Sequence, residues 1–508
     1  MLLTGELLIC GKSRMGTDGS FEAIEAATGT KLKGSFGGAT LDDLDEATRL
    51  AWAAFPIYRE TGLEQRATFL EKIAELIANT SDELIVRTMA ETGLPRLRLE
   101  GERMRTVNQL KMFADEVRSG RFLDRRDDKG DPSRVPLPKP DLKFRNIGIG
   151  PVAVFGASNF PFAFSVAGGD TAAALAAGCP VVVKAHSAHP GTSEVIGRCI
   201  QQAVRECGLP VGVFAMLHTT TREVAQALVA DARIRAVGFT GSRSGGLAFM
   251  EIAAKRKQPI PVYAEMSSIN PVLVLPEALR SGWEAIATAF VGALTMGAGQ
   301  FCTNPGLILV IEGEGLDAFI AKACEVIGTQ LPQTMLTPDI AKAYRKGVSA
   351  LSGNSKAKKI AEGQKSNDFQ CQTVLFETKA SDFMADHTMQ NEMFGSASLI
   401  VRCKDKTELI AVLEHLEGQL TIAVHMRDGD NALATELLPL LEVTAGRLLV
   451  NGFGTGVEVS PAMVHGGPFP STSDGHSTSV GTAAIYRFLR PVCYQNFEAI
   501  FCPHSLNK

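Results

Sequence analysis

A cysteine and a glutamate stand thirty-seven positions apart in this 508-residue chain, each in a setting that suits covalent chemistry. Cys302 closes the run Gly297-Ala298-Gly299-Gln300-Phe301-Cys302, a small-residue approach just beyond an apolar helical stretch over 283–296. Glu265 lies in Tyr263-Ala264-Glu265-Met266-Ser267, at the expected end of a strand. A thiolate can attack a carbonyl and hold the acyl group as a thioester; a carboxylate can then activate the water that releases it. Only a minor fraction of a free thiol, with its pKa of about 8.5, is thiolate near neutrality. Stripped of these neighbours, Cys302 reads as a small buried hydrophobe and Glu265 as a solvated strand-end carboxylate.

The chain that must position this pair is too long for one small core, so two or more core-bearing units are expected. Composition is that of a globular protein, 45% hydrophobic and 21% charged. The net charge of −4 offers no global basic field for nucleic acid or anionic membrane. No apolar run is long enough for a membrane span, and the N-terminus lacks the basic leader of a cleaved signal peptide. Ten cysteines are scattered from Cys10 to Cys502 without a CxxC pair or histidines at zinc-ligand spacing. This pattern reads as reduced thiols in a cytoplasm, with no metal site expected.

Thr40 and Asp43 form a capping box ahead of an apolar stripe at Leu44, Ala47, Ala51 and Ala54. Further helices are expected at 63–77, before Gly93 and Pro95, and at 97–117. The polar, proline-containing stretch 119–146 reads as a projecting hairpin or arm. From Pro151 the pattern alternates. Short apolar runs at 152–155, 181–184, 213–216 and 236–239 read as buried parallel strands. Helices fit between them at 164–177, 192–207, 221–230 and 244–255. This is a doubly wound α/β unit. A second α/β unit starts near Glu265, with strands expected at 271–275 and 307–311. The tail from 478 to 493 is strand-like and lies outside both.

Six pieces in fixed order then carry a resemblance: Ser158-Asn159-Phe160-Pro161, Val183-Lys184, Phe239-Thr240-Gly241-Ser242, Glu265, Gly299-Gln300-Phe301-Cys302 and Asn391-Glu392-Met393-Phe394-Gly395. Together they resemble the aldehyde dehydrogenase superfamily over nearly the whole chain. The wording between them, Lys184-Ala185-His186-Ser187-Ala188-His189-Pro190 and Met463-Val464-His465-Gly466-Gly467-Pro468, is similar to a branch of NADP-dependent enzymes acting on 2,5-dioxopentanoate. NADP-dependent fatty-aldehyde dehydrogenases share that branch. The resemblance implies a nucleotide-binding domain (1–118 and 147–264), a catalytic domain (265–477) and an oligomerisation arm and tail (119–146 and 478–508). It implies a cytoplasmic homodimer or homotetramer whose partner is a small-molecule aldehyde.

The resemblance also implies roles. Cys302 is the nucleophile, Asn159 an oxyanion donor and Glu265 the base that hydrolyses the thioester. Relatives that pass the acyl group to coenzyme A generally lack this glutamate, so a free acid is the expected product. His465 reads either as a second base or as a loop histidine satisfied by backbone. Lys184, at a strand end, suits the adenosine ribose or a 2′-phosphate. Ser187 stands where many NAD-using relatives carry a ribose-binding glutamate, which favours NADP, with NAD still usable. Gly241 and Ser242 open a helix whose N-terminus suits phosphate. Glu392 and Phe394 match a pair that holds the nicotinamide ribose and ring, though Ser396 follows where proline is frequent. For the substrate, Phe160, Phe162, Phe301 and Phe453 suit an apolar throat or simple core. Arg105 and Gln109, at i and i+4, suit a carboxylate or a solvated face. The competing readings are a fatty-aldehyde dehydrogenase, a coenzyme-A-acylating enzyme, and a catalytically silent scaffold.

Overall fold

Uniformly apolar runs flanked by helices must be covered on both faces, and the sheet alternation shows that they are. Val152, Val154, Val181 and Val183 point into one core with the helices Leu63–Ala78, Arg96–Ser119, Gly169–Ala176 and Pro190–Glu206. Their neighbours Ala153, Phe155 and Val182 point into another, with Leu41–Tyr58, Arg222–Ala230 and Arg243–Lys255. A computed structural model describes residues 3–498. The last ten residues of the expected tail, with Cys502, and the first two residues lie outside the described residues.

The first sheet has seven strands in the order 262–265, 236–240, 152–155, 181–184, 214–217, 7–9 and 12–14. The first five are parallel and the last two antiparallel. The second sheet also has seven, ordered 358–362, 374–379, 397–403, 307–311, 271–274, 419–425 and 445–450. All its pairs are parallel except the first. Leu273, Leu309 and Val401 face one of its cores, Val274, Ile308 and Ile400 the other. The α/β expectation therefore holds. No helix among the described residues is long and apolar enough to cross a membrane.

Differences from the sequence expectation are local. The pair Leu7–Ile9 and Lys12–Arg14 extends the first sheet although the first gave no strand signal beyond being apolar and the second, Lys-Ser-Arg, gave none. The helix expected from 164 starts only at Gly169, because Glu102 Oε1 accepts from the amides of Phe162 and Ala163 and holds them in a turn. The stretch 119–146 contributes Arg126–Asp128 and the start of Leu142–Gly148 to a three-stranded sheet completed by Leu489–Gln495. Ahead of that last strand the tail is a 3₁₀ turn, Thr482–Phe488, not a strand.

Candidate active site

Glu265 is the last residue of the edge strand Val262–Glu265, paired in register with Thr240. Lys184 ends its own strand at the same carboxyl edge, three strands away, roughly 14 Å at about 4.8 Å per strand. Ligands of open α/β sheets bind at this edge.

Cys302 arrives from the second sheet's side. The helix Pro276–Thr295 ends, and Gly297, Ala298 and Gly299 follow with left-handed φ of 56°, 58° and 67°. For alanine that conformation costs on the order of 1 kcal/mol. It is held by hydrogen bonds: Ala298 N–H donates to Gln333 Oε1 at 3.0 Å, and Leu336 N–H to Gln300 Oε1 at 3.0 Å. Gly299 cannot be replaced without strain, since a Cβ there would stand 2.4 Å from backbone atoms of Gly395 and Ser396. The loop is thereby pressed against the segment carrying Glu392 and Phe394.

The reactive groups converge. Cys302 Sγ lies 3.3 Å from His465 Nε2, which lies 3.0 Å from Glu265 Oε1. Ser479 Oγ donates to Glu265 Oε2 at 3.2 Å. The backbone N–H of His465 donates to Thr478 Oγ1 at 2.8 Å. One nitrogen cannot donate to the carboxylate and accept from the thiol at once. With Nε2–H directed at Glu265, the carboxylate is the group left to take the thiol proton.

Burial and the Glu265 charge push the Cys302 thiol well above its ordinary value. Burial also pushes Glu265 up, but the charge and hydrogen bond of His465, with hydrogen bonds from Cys302 and Ser479, outweigh it and hold the carboxyl low. Glu392 is driven up to about 8 by burial and by Glu265. The resting pair is thus thiol and carboxylate, so attack by sulfur requires a base in contact.

Asn159 is buried, and its Nδ2 donates to the Gln300 carbonyl at 3.0 Å, two residues before the cysteine. Its second N–H stays free for a ligand. Two residues missed in the sequence reading fix the same loop. Asn270, at φ 48°, donates from Nδ2 to the carbonyl of Cys302 at 2.9 Å. Arg98 donates to the carbonyl of Asn159 at 2.6 Å and lies over the rings of Phe160 and Phe301. Asn270 has a local signal, an asparagine before Pro271 able to adopt positive φ. Arg98 has one too, seven positions before Arg105 on the same helix face.

Cys302 opens on a cavity of about 1250 Å³ whose lining includes Arg98, Arg105, Phe160, Phe301 and Arg447. Arg98 and Arg105 each keep Nη1 buried without a hydrogen-bond partner. Arg447 uses both Nη atoms on the carbonyls of Gly454 and Gly456 and acts as a loop clamp. Glu102 and Glu458 line the same cavity, so its guanidiniums are one charge in excess. Three expectations fail here. Gln109 is buried against Gly169, where a Cβ would stand 3.2 Å from its Nε2; it fills a helix–helix gap and does not line the cavity. Phe453 packs on Phe290 and His425 away from it. Phe162 is fully buried in the first core.

The remaining residues lie as follows. Lys184 is half-buried without an ion-pair partner among the described residues, and burial lowers it to about 8. Ser187 is exposed. Ser242 caps the helix Arg243–Lys255, its Oγ accepting from Gly245 N–H at 3.3 Å, and Gly241 N–H donates to the Glu265 carbonyl at 3.1 Å. Glu392 and Phe394 share a small, mainly apolar hollow with Ser268, Ile269, Phe301 and Met393.

Comparison with known proteins places this geometry. A family model described as the aldehyde dehydrogenase family matches residues 14–488. Alpha-ketoglutaric semialdehyde dehydrogenase 2 of Azospirillum brasilense is 53% identical, the match covering 100% of this chain and 97% of the relative. Alpha-ketoglutaric semialdehyde dehydrogenase of Acinetobacter baylyi is 46% identical, covering 99% and 95%. Among solved structures, PnpE from Pseudomonas sp. WBC-3 superposes with a TM-score of 0.81 at 21% identity, covering 99% of both chains. Aldehyde dehydrogenase C from Pseudomonas syringae, a mutant in complex with NAD+ and octanal, gives 0.82 at 20%, covering 97% of both.

Proposed function

The chain belongs to the aldehyde dehydrogenase family, and from that premise we propose that it oxidises 2,5-dioxopentanoate to 2-oxoglutarate, in the cytoplasm, with NADP preferred. Two full-length relatives carry this activity in their names. The observation that carries the substrate on the chain's own side is Arg105, whose Nη1 is buried and unpartnered in the cavity that holds Cys302. A carboxylate whose carbon stands four carbons from the reacting aldehyde carbon gives that nitrogen, and that of Arg98, a partner. A plain alkyl chain would leave both unsatisfied, at about 1–3 kcal/mol each.

The residues present fit a nicotinamide dinucleotide. Lys184 supplies an unpaired cation at the sheet edge, the Ser242 helix end suits phosphate, and the Glu392 carboxyl can hydrogen-bond a ribose hydroxyl. When bound, the nicotinamide supplies the hydride acceptor. The rest is the protein's work. Glu265 takes the proton as Cys302 attacks the aldehyde carbon. The free N–H of Asn159 and the backbone N–H of Cys302 hold the oxyanion, each such donor worth about 2.7–4 kcal/mol. Glu265 gives the thiol proton up to solvent through the small hollow it lines; once the acyl group stands on sulfur as a thioester, the restored carboxylate accepts a proton from the water that attacks it, and the free acid leaves as that proton returns to sulfur. His465 keeps the Glu265 carboxylate aimed.

NADP preference rests on Ser187, exposed three positions beyond Lys184. A carboxylate there would repel a 2′-phosphate. Ser187→Glu is expected to lower kcat/KM for NADP relative to NAD by at least tenfold; an unchanged ratio shows that another residue selects. Assembly into a dimer or tetramer is supported by the arm, whose Val135 and Leu137 are 86% and 69% exposed.

Absorbance of the reduced cofactor with a panel of aldehydes tests the whole reading. 2,5-Dioxopentanoate should exceed an unsubstituted aldehyde of equal length in kcat/KM by at least tenfold. A preference for long aliphatic aldehydes would replace this substrate by the fatty-aldehyde reading, and a requirement for coenzyme A by the acylating one.

A further inference from the structure

The ligand-type atoms of Glu265, Cys302 and His465 all lie within 4.8 Å of one another. It is the one such group found among the described residues. Its donors are a thiol sulfur, an imidazole nitrogen and a carboxylate oxygen, the set that binds Zn²⁺ with three protein ligands and an open fourth position. Tetrahedral zinc, with Zn–N and Zn–O of about 2.0–2.2 Å and Zn–S of about 2.3 Å, sets ligand atoms about 3.3–3.6 Å apart. Here Nε2 is 3.3 Å from Sγ and 3.0 Å from Oε1, within a few tenths of an ångström of those separations, and Sγ and the carboxylate lie within 4.8 Å of each other.

The surroundings are equally suited. Ser479 holds Oε2 of Glu265, leaving Oε1 for a metal, and the His465 main chain is fixed at both ends by Thr478 Oγ1 and by the amide of Ser479. The Ser479 contact aims the carboxylate, whereas the outer ring nitrogen of His465, Nδ1, is buried with no hydrogen-bond partner. Cys302 lines the large cavity on one side, while Glu265 and His465 line a small polar hollow on the other. A metal bridging the three stands where the two meet and can take a water as its fourth ligand. The sequence hid this set because its members are 163 and 200 residues apart in two of the pairs.

We propose that Cys302, His465 and Glu265 form a reversible inhibitory site for Zn²⁺ and other thiophilic divalent cations. On binding, the S–H bond breaks and its proton passes to buffer, the His465 ring proton leaves Nε2 and is carried on Nδ1 instead, and S–Zn and N–Zn bonds form; no electrons are transferred. The sulfur lone pair needed for attack and the carboxylate needed for deacylation are then both engaged. The inference uses the geometry of the proposed catalytic group, yet its test needs no aldehyde.

The full-length protein is titrated with CoCl₂ in a non-chelating buffer and followed by absorbance. Tetrahedral d–d bands and a thiolate charge-transfer band should appear at about one Co²⁺ per chain and vanish on adding excess ZnCl₂. Cys302→Ser should remove the charge-transfer band. His465→Asn should weaken binding by more than the 10–100-fold loss typical of an outer-shell partner. Site-resolved mass spectrometry adds an independent arm. Saturating Zn²⁺ should protect Cys302 from iodoacetamide at least tenfold, while the exposed Cys493 reacts as before. Absent charge-transfer intensity, binding indifferent to both variants, or unprotected Cys302 would each overturn the site.

Discussion

Cys302→Ala is expected to abolish aldehyde oxidation, by about 10⁴-fold or more, while NADP still binds within about twofold of the wild-type affinity. The size follows from what is removed. Loss of a nucleophile that works as a unit with its base costs as much as loss of the whole group, about 10⁶-fold in a well-studied serine hydrolase. No other described cysteine lies in the cavity lined by Arg98 and Arg105. The fold should be nearly untouched, because the loop is held by main-chain contacts: Asn270 grips the carbonyl of residue 302, and Gln333 and Gln300 tie the turn before it. Steady-state turnover measured beside cofactor binding by fluorescence decides the matter. Turnover surviving above a hundredth of wild type would remove the sulfur from the mechanism and, with it, the thioester.

Glu265→Gln is expected to slow both halves of the reaction, deacylation more than acylation. The amide keeps the shape and can still meet Ser479 and His465, but it cannot accept a proton. Deacylation should slow by 10²–10⁴-fold, the usual worth of a general base. A burst of reduced cofactor, about one per active site, should then precede a slow steady state in stopped flow. The absence of a burst would mean that Glu265 is not the deacylating base, or that acylation depends on it more strongly still. Acidity of the medium gives a second readout. His465 and Ser479 hold the Glu265 carboxyl below its ordinary value, so its proton-accepting form is present at neutral pH and is lost as pH falls through that lowered value. The acid limb of wild-type kcat should reflect this group and disappear in the glutamine variant.

What the residues revealed directly was whatever they enforce over short spans. Val152–Phe155 and Val181–Lys184 match their expected limits because both faces are covered, and covered strands must be apolar throughout. The capping box at Thr40 and Asp43 is present with both of its hydrogen bonds. Cys302 and Glu265 stood out because their own neighbours, left-handed glycines and a strand end, shape them. What stayed hidden acts across long separations. Glu102 shortens a helix by reaching residues 60 positions away. Arg98 reaches Asn159 at 61, and Ser479 reaches Glu265 at 214. Gln109 shows the converse error. Its i+4 spacing from Arg105 suggests a shared face, but the helix sits flat on Gly169 and the glutamine fills the space a side chain would have taken.

The chemistry is assembled from both sheets and from a late loop, and this has a consequence during synthesis. Chains emerge N-terminus first, and domains fold as they appear. The ribosome releases Glu265 with the edge of the first sheet, Cys302 later, and His465 and Ser479 last of all. A polypeptide interrupted before the late loop carries a sulfur with an incomplete set of partners. The assembled trio of thiol, imidazole and carboxylate therefore exists only once the molecule is almost finished.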